Sequence, residues 1–387
     1  MRQDRDGARD HGERAAHVRI LAFGTYQAAD HPRVRVLADG LRARGHVVAE
    51  ANVPLGLSTK DRVAMLGSRS GALSMAGRLA RSWSALVGKA LRVRRSGRPD
   101  AVLVGYMGHF DVWLARLLFP RTPIVLDHLI FAATTAQDRG VGDGGLKQRL
   151  LRFLDRAALT IADVVVLDTD EHRDLVPAAL REKAVVVPVG ATENWYDAGA
   201  HAVERPADDP LRVVFYGLFT PLQGAGTIGG AIGALPDDGS VLVTMIGSGQ
   251  DLDEAQSRAA GGAPTEWLPW VDAADLPALV AGHDVGIGIT GTTPKALKVV
   301  PNKVYQCAAA GLAVVTSDTA PQRRAFGDAV VAVPAGDADA LAAAIRGLAA
   351  DRALLAERRA AASAAADRFR PAAAVEPLDE RLRTVTR

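Results

Sequence analysis

Residues 295–318 read KALKVVPNKVYQCAAAGLAVVTSD, a polar loop, a short helix and a buried strand in one stretch. The loop ends at Pro301 and Asn302, residues 303–310 have helical composition, Gly311 closes the helix, and 312–316 is an apolar run that reads as a strand. Asn302 is the expected cap. Such a helix start presents unpaired backbone N–H groups and the positive end of a dipole, so a diphosphate fits at Asn302 with the Lys303 ammonium beside it. The plainer reading is one more unit of an α/β domain with Lys303 in solvent.

The same alternation surrounds this stretch. Upstream, a strand at 213–216 runs into Gly217, another at 241–246 runs into GSGQ, and a third at 284–289 precedes the quoted loop. Helical patterns at 226–235 and on Leu276 and Leu279 lie between them. Residues 193–210 turn polar and proline-bearing, which places a linker there. Before it, strands at 18–23, 47–49, 101–105, 123–126, 164–168 and 185–189 repeat the pattern, with helices on Val34, Leu37 and Leu41, over 145–161, and starting at His172. The fold class that follows is α/β, with two doubly wound (Rossmann-like) domains facing one another across a cleft. One half can hold a nucleotide and the other an acceptor.

Ligands meet such sheets at the carboxyl ends of the strands. In the first half those ends deliver Gly24 and Thr25, then His109, then His128, with Asp138 and Arg139 following. The GTYQ turn lacks the three spaced glycines of a dinucleotide fingerprint, so a dinucleotide is not expected. His109 and His128 are candidate general bases or sugar contacts, weighed against ordinary satisfied loop histidines.

The 387 residues are enough for two cores, and 48% hydrophobic with 23% charged residues is ordinary globular usage. A net charge of +2 gives no general case for a nucleic-acid partner. The one cysteine, Cys307, excludes an intramolecular disulfide and a cysteine-rich metal site, and suits a reducing cytoplasm. Residues 1–17 lack an apolar run and are expected to be a disordered leader, and no transmembrane helix is expected anywhere. Between 60 and 98 the chain is helical in pattern and strongly basic, with Asp61 its lone interior acid. Two readings compete there: peripheral contact with anionic lipid, or a solvated face over a buried stripe.

Taken together, HPRVRVLADGLRARGHVV, DRAALTIADVVVLDTDEH, VVVPVGATENWY, VVFYGLFTPLQGAGTI, MIGSGQ, WLPWVDAADLPALV and PNKVYQCAAAGLAVVTSDT, in that order, resemble a two-domain family 4 (group 1) retaining glycosyltransferase of the GT-B fold. The resemblance implies a nucleotide-diphosphate sugar as co-substrate, no bound cofactor or metal, and a small-molecule or lipid-linked acceptor. It implies an acceptor-side domain over 18–192, a donor domain over 211–365, and a last segment, 366–387, returning as a helix to the first domain. Gly217, Phe219 and Gln223 would then lie near the phosphates, Leu268, Pro269 and Trp270 around the base, Asn302 and Lys303 at the diphosphate, and Gln306 at the ribose. Gly24, Thr25, Asp138, Arg139, His109 and His128 would face the acceptor. Retention without a protein nucleophile fits front-face attack, with the leaving phosphate taking the acceptor's proton.

Several positions depart from the family pattern. An arginine and a lysine that neutralise the leaving group are replaced by Leu218 and Gln223, and the two glutamates of a spaced pair are Lys298 and Gln306. Arg324 stands where a further glutamate is common. Two lost cations beside two phosphates cost several kcal/mol in a desolvated cleft, so Lys298 and Lys303 become the candidate replacements. The departures keep two rivals open: an impaired, auxiliary relative, and an epimerase or hydrolase of the same fold.

Overall fold

The computed structural model describes residues 17–26, 32–56, 69–138, 145–202, 206 and 208–386. The expected leader up to residue 16, Arg139, and the basic residues Lys60 and Arg62 lie outside the described residues.

The first domain runs β1 (Arg19–Gly24), α1 (Arg33–Ala43), β2 (Val47–Asn52), α2 (Arg69–Arg95), β3 (Ala101–Val104), α3 (Asp111–Leu118), β4 (Ile124–Asp127), α4 (Ala132–Asp138), α5 (Leu146–Ile161), β5 (Val164–Leu167), α6 (Asp170–Leu175) and β6 (Ala184–Val186). Helix α7 (Glu193–Ala200) follows. The second runs β7 (Leu211–Tyr216), α8 (Ala225–Gly233), β8 (Val241–Ile246), α9 (Leu252–Ala259), β9 (Thr265–Leu268), α10 (Leu276–Ala281), β10 (Val285–Ile287), α11 (Asn302–Ala309), β11 (Ala313–Ser317), α12 (Ala320–Phe326), β12 (Val331–Val333), α13 (Ala338–Ala350) and α14 (Arg352–Ala366). Helices α15 (Pro371–Ala374) and α16 (Glu376–Val385) close the chain.

Each domain has a six-stranded parallel sheet, ordered β2-β1-β3-β4-β5-β6 and β12-β11-β10-β7-β8-β9. Strand order reverses between β1 and β3 in the first and between β7 and β10 in the second, so the ligand crevices of a doubly wound fold fall at Gly24 and at Gly217. The strands are apolar on both faces because helices cover both. On the first sheet, Leu37 and Leu41 of α1 and Leu378 and Leu382 of α16 pack one face. Leu86 of α2, Leu114 of α3 and Leu159 of α5 pack the other. In the second domain α8, α9 and α13 cover one face, and α7, α10 and α11 the other.

Three local expectations need correction. The stretch 193–210, read as a linker, opens with the helix α7, whose Trp195 and Tyr196 are buried in the second domain's core. Trp195 stacks on Tyr216 at 5.7 Å, an anchor hidden by the polar composition around it. The helix read from His172 starts at Asp170, because the Thr169 hydroxyl caps it by accepting from the His172 N–H at 3.2 Å. Asn302 is not a cap but the first residue of α11; Pro301 precedes it, and no side chain caps this helix.

The chain passes between the domains twice at one place. Gly190, at φ +69°, lies against the second crossing, so that a Cβ there would meet the Phe369 carbonyl oxygen at 2.7 Å. Arg370 pairs with Glu193 at 2.5 Å, and the Tyr196 hydroxyl donates to the Ala366 carbonyl at 2.8 Å. Beyond, α15 presses on α1 where Gly40 leaves no room for a side chain against the Pro371 carbonyl. Buried Asp379 of α16 then accepts from Arg44 Nε at 2.6 Å and Arg383 Nε at 2.8 Å, with His46 Nε2 at 2.7 Å.

Candidate functional site

At the second switch point β7 ends at Tyr216, and Gly217 follows with a φ of +138° that turns the chain away from the sheet. The N-terminus of α11 arrives beside it. A Cβ at Gly217 would sit 3.2 Å from Lys303 Nζ, so the missing side chain is what lets that ammonium reach the strand end. Lys303 donates to Gln223 Oε1 at 2.7 Å and lies 3.7 Å above the Phe215 ring. Burial lowers its pKa to about 7, only partly offset by Cys307. Gly217 and Gln223, and Lys303 80 residues further on, are therefore one cluster. The N–H groups of the first turn of α11 have no side-chain cap to satisfy them.

The remaining second-domain candidates surround this cluster unevenly. Phe219 is fully buried and packs its ring edge-on to Phe215, while Leu218 is 55% exposed. Gln306 accepts from the Tyr216 hydroxyl at 3.1 Å, so that amide is oriented from the strand. The Leu268 carbonyl accepts from the Gly247 N–H at 2.8 Å, which sets Leu268, Pro269 and Trp270 beside the next strand end, with the Trp270 ring exposed. Lys298 closes a 3-10 turn. Its carbonyl accepts from Thr169 at 2.8 Å across the cleft, and its ammonium makes no ion pair among the described residues. Lys295 Nζ reaches Thr135 of α4 at 3.2 Å, and Arg324 binds Glu171 at 2.6 Å and Asp170 at 3.1 Å. These helices and loops thus bridge the two domains through polar contacts.

On the first-domain side, Gly24 and Thr25 meet a residue the sequence reading passed over. Asp111, at the start of α3, accepts from the Thr25 N–H at 2.6 Å, the Thr25 hydroxyl at 2.8 Å and Trp83 Nε1 at 2.9 Å. A carboxylate at a helix start following a strand end was the available signal. His109, Thr25 and Asp111 line one pocket with Met107, Ile130 and Thr135. His109 Nε2 lies 2.9 Å from Asp155 Oδ1, and His128 Nε2 3.8 Å from it. Asp155 also accepts from the Ala132 and Ala133 N–H groups, capping α4 from a distance. Burial works against that carboxylate, yet the His109 hydrogen bond and charge hold its pKa below the usual value. Burial and the neighbouring His109 push His128 down to about 3, so it is neutral.

His109, His128 and Asp155 place donor atoms within 4.8 Å of one another, close enough for a metal among the described residues. Asp155 is already engaged by two backbone N–H groups and an imidazole, so the cluster works as a hydrogen-bonded brace for α4. A second buried group stands beside it: Arg33 donates to Asp127 at 3.2 Å and to the Val187 and Pro188 carbonyls at 2.9 and 2.6 Å. Asp138 ends α4.

Among curated proteins no match was found. Solved structures do match over nearly the whole chain. Sucrose-phosphate synthase from Thermosynechococcus elongatus is 15% identical, with 95% of this chain and 98% of that one covered, at a TM-score of 0.66. A UDP-forming α,α-trehalose-phosphate synthase from Burkholderia xenovorans is 14% identical over 96% of this chain and 100% of that one, at 0.66. Anabaena HepE in complex with UDP-glucose is 15% identical over 94% and 98%, at 0.63. These likenesses show the GT-B fold, and residues 210–351, from β7 through α13, match the family model described as glycosyl transferases group 1.

Proposed function

We propose that this chain is a retaining glycosyltransferase that moves a sugar from a nucleotide-diphosphate donor to a small-molecule or lipid-linked acceptor. The observation that carries the reading is the cluster of Gly217, Gln223 and Lys303 at the uncapped start of α11. A diphosphate seated there accepts from backbone N–H groups and draws the Lys303 ammonium away from Gln223. That single buried cation supports the reading by standing in for the charges absent at Leu218 and Gln223. Gln306, oriented by Tyr216, meets the ribose, and the residues around Trp270 meet the base. The pocket of Thr25 and His109 receives the acceptor, and Lys298, on the loop that touches the first domain, lies towards the transferred sugar.

In this reaction the acceptor hydroxyl attacks the anomeric carbon from the face the diphosphate leaves, and its proton passes to a departing phosphate oxygen. Braced His109 lines the pocket, with neutral His128 packed behind it. No metal takes part, so transfer should survive a chelator.

The test is a thermal-shift panel of UDP, GDP and dTDP, followed by transfer assays on the nucleotide that binds. A ligand at a hundred times its dissociation constant stabilises by about 2.7 kcal/mol. UDP comes first because complexes of HepE contain UDP and UDP-glucose. A shift with one nucleotide, and a product with the donor's anomeric configuration, are expected. No shift with any of the three favours the auxiliary reading, which Leu218 and Gln223 motivate. Donor turnover without an acceptor favours a hydrolase or epimerase.

A further inference from the structure

Helices α2, α3 and α5 lie side by side on one face of the first sheet, and their outer surfaces share an unusual composition. Among the described residues, seven of the eleven exposed large hydrophobics are on these three helices. On α5, Leu146, Leu150 and Phe153 recur at helical spacing along the outer side, 85%, 47% and 63% exposed. Trp113 and Leu117 do the same on α3, four residues apart. On α2, Leu73 and Leu91 stand five turns apart on one line, with only Gly77, Ala80, Ser84 and Gly88 between them.

Charge on this face has one sign. Helix α2 carries no acidic residue, and the acids of α3 and α5, Asp111 and Asp155, are buried and turned inward to Thr25 and His109. Exposed Arg149, Arg152 and Arg156 flank the stripe on α5, and exposed Arg92 and Arg95 end α2. Asp163, just beyond α5, is paired with Arg116 at 2.6 Å.

We infer that the outer face of α2, α3 and α5 is a docking surface for an anionic lipid bilayer. Arginines beside raised apolar side chains match the two layers of such a surface, headgroup charge outside and acyl chain within. A nucleic acid uses the charge but gains nothing from burying Leu146, Leu150 and Phe153. No described helix is long and apolar enough to cross a membrane, so the chain lies on the bilayer through this face. Met75 and Leu79 of α2 and Leu151 and Leu154 of α5 line the pocket holding Thr25 and His109, so the docked helices border the site where an acceptor enters. That last consequence rests on the glycosyltransferase reading; the docking does not.

The test is co-sedimentation of the full chain with vesicles of phosphatidylcholine alone and with about 30% phosphatidylglycerol. Binding only to the anionic vesicles, weakened by salt, is expected. The triple variant Arg149→Glu, Arg152→Glu, Arg156→Glu should lose at least about a hundredfold in affinity, since three basic residues leave the surface and three acids replace them. The double variant Leu150→Ser, Phe153→Ser should also lose binding. These side chains are exposed, so circular dichroism and the nucleotide thermal shift should be unchanged in both. The inference fails if no anionic vesicle binds, if neutral vesicles bind equally, or if only the arginine variant loses binding, the mark of a surface for acidic protein or polyanion.

Discussion

Replacing Lys303 with methionine tests the geometry of the donor cluster directly. Lys303 is 5% exposed and its pKa falls from 10.5 to about 7, a displacement worth on the order of 5 kcal/mol of destabilisation when the group is charged. Between those two pH values the unfolded chain holds a proton that the folded chain does not, so this contribution makes the protein more stable as pH rises from 7 to 10.5. Below 7 the whole cost is present. Methionine fills a similar volume without the charge, but leaves Gln223 Oε1 without its donor, at a cost of about 1 kcal/mol. Lys303→Met should therefore be more stable than the parent by roughly 4 kcal/mol near pH 6 and slightly less stable near pH 10, read by urea unfolding across that range. The same change should weaken UDP by at least about tenfold, the loss of one charge-assisted contact to phosphate. In the parent, UDP affinity should fall as pH rises above 7, because the bound diphosphate needs the protonated lysine; in the variant that slope should vanish. Parallel stability curves for the two proteins, with the pH slope of UDP binding intact in the variant, would refute the buried ammonium.

Two further perturbations probe how the domains are held. Asp379→Asn strips the charge from a carboxylate, 2% exposed, that serves Arg44, His46 and Arg383, so unfolding in urea should show a loss of about 2–3 kcal/mol. Its pKa is lowered to about 2: burial works against the carboxylate, but the hydrogen bonds from Arg44 and Arg383 outweigh it, so the contribution is present above the unfolded pKa and fades as pH falls through the folded one. Arg324→Glu breaks the exposed pairs with Asp170 and Glu171 and should change global stability by less than about 1 kcal/mol. Small-angle scattering should nevertheless show a larger radius of gyration, because like charges then face each other across the cleft.

Much of this architecture is legible in the sequence because parallel strands buried on both faces are short apolar runs ended by glycine or a polar residue. That signature gave the first sheet, four strands of the second and the strand ends at Gly24 and Gly217, but not the second sheet's edge strands β9 and β12, which are short and only partly buried. It could not give α7, since Trp195 and Tyr196 sit among polar residues and their partner Tyr216 lies in a distant strand. The cap at Thr169 is a local signal, a threonine before Asp170 and Glu171, and only its reach to Lys298 needed the fold. The lysine of PNK was readable as a phosphate candidate, but not its burial, which depends on Phe215 below and Gln223 beside it. Asp155 looks like an ordinary helix residue and Asp111 signals only a helix start, and folding turns one toward His109 and the other toward Thr25.

The paired crossings at Gly190 and Phe369 limit how the two domains can move. Two covalent connections, pressed together and cross-bonded through Arg370, Glu193 and Tyr196, act as one pivot at the edge of the cleft. Sliding or twisting one sheet over the other would stretch one connection against its neighbour, whereas a swing about the pivot strains neither. The Arg324 pair with Glu171 sits close to this pivot, because the neighbouring Ala325 carbonyl accepts from Arg368 at 2.9 Å and the Phe326 ring lies 4.9 Å from Phe369, so it works as a door's hinge plate rather than its catch.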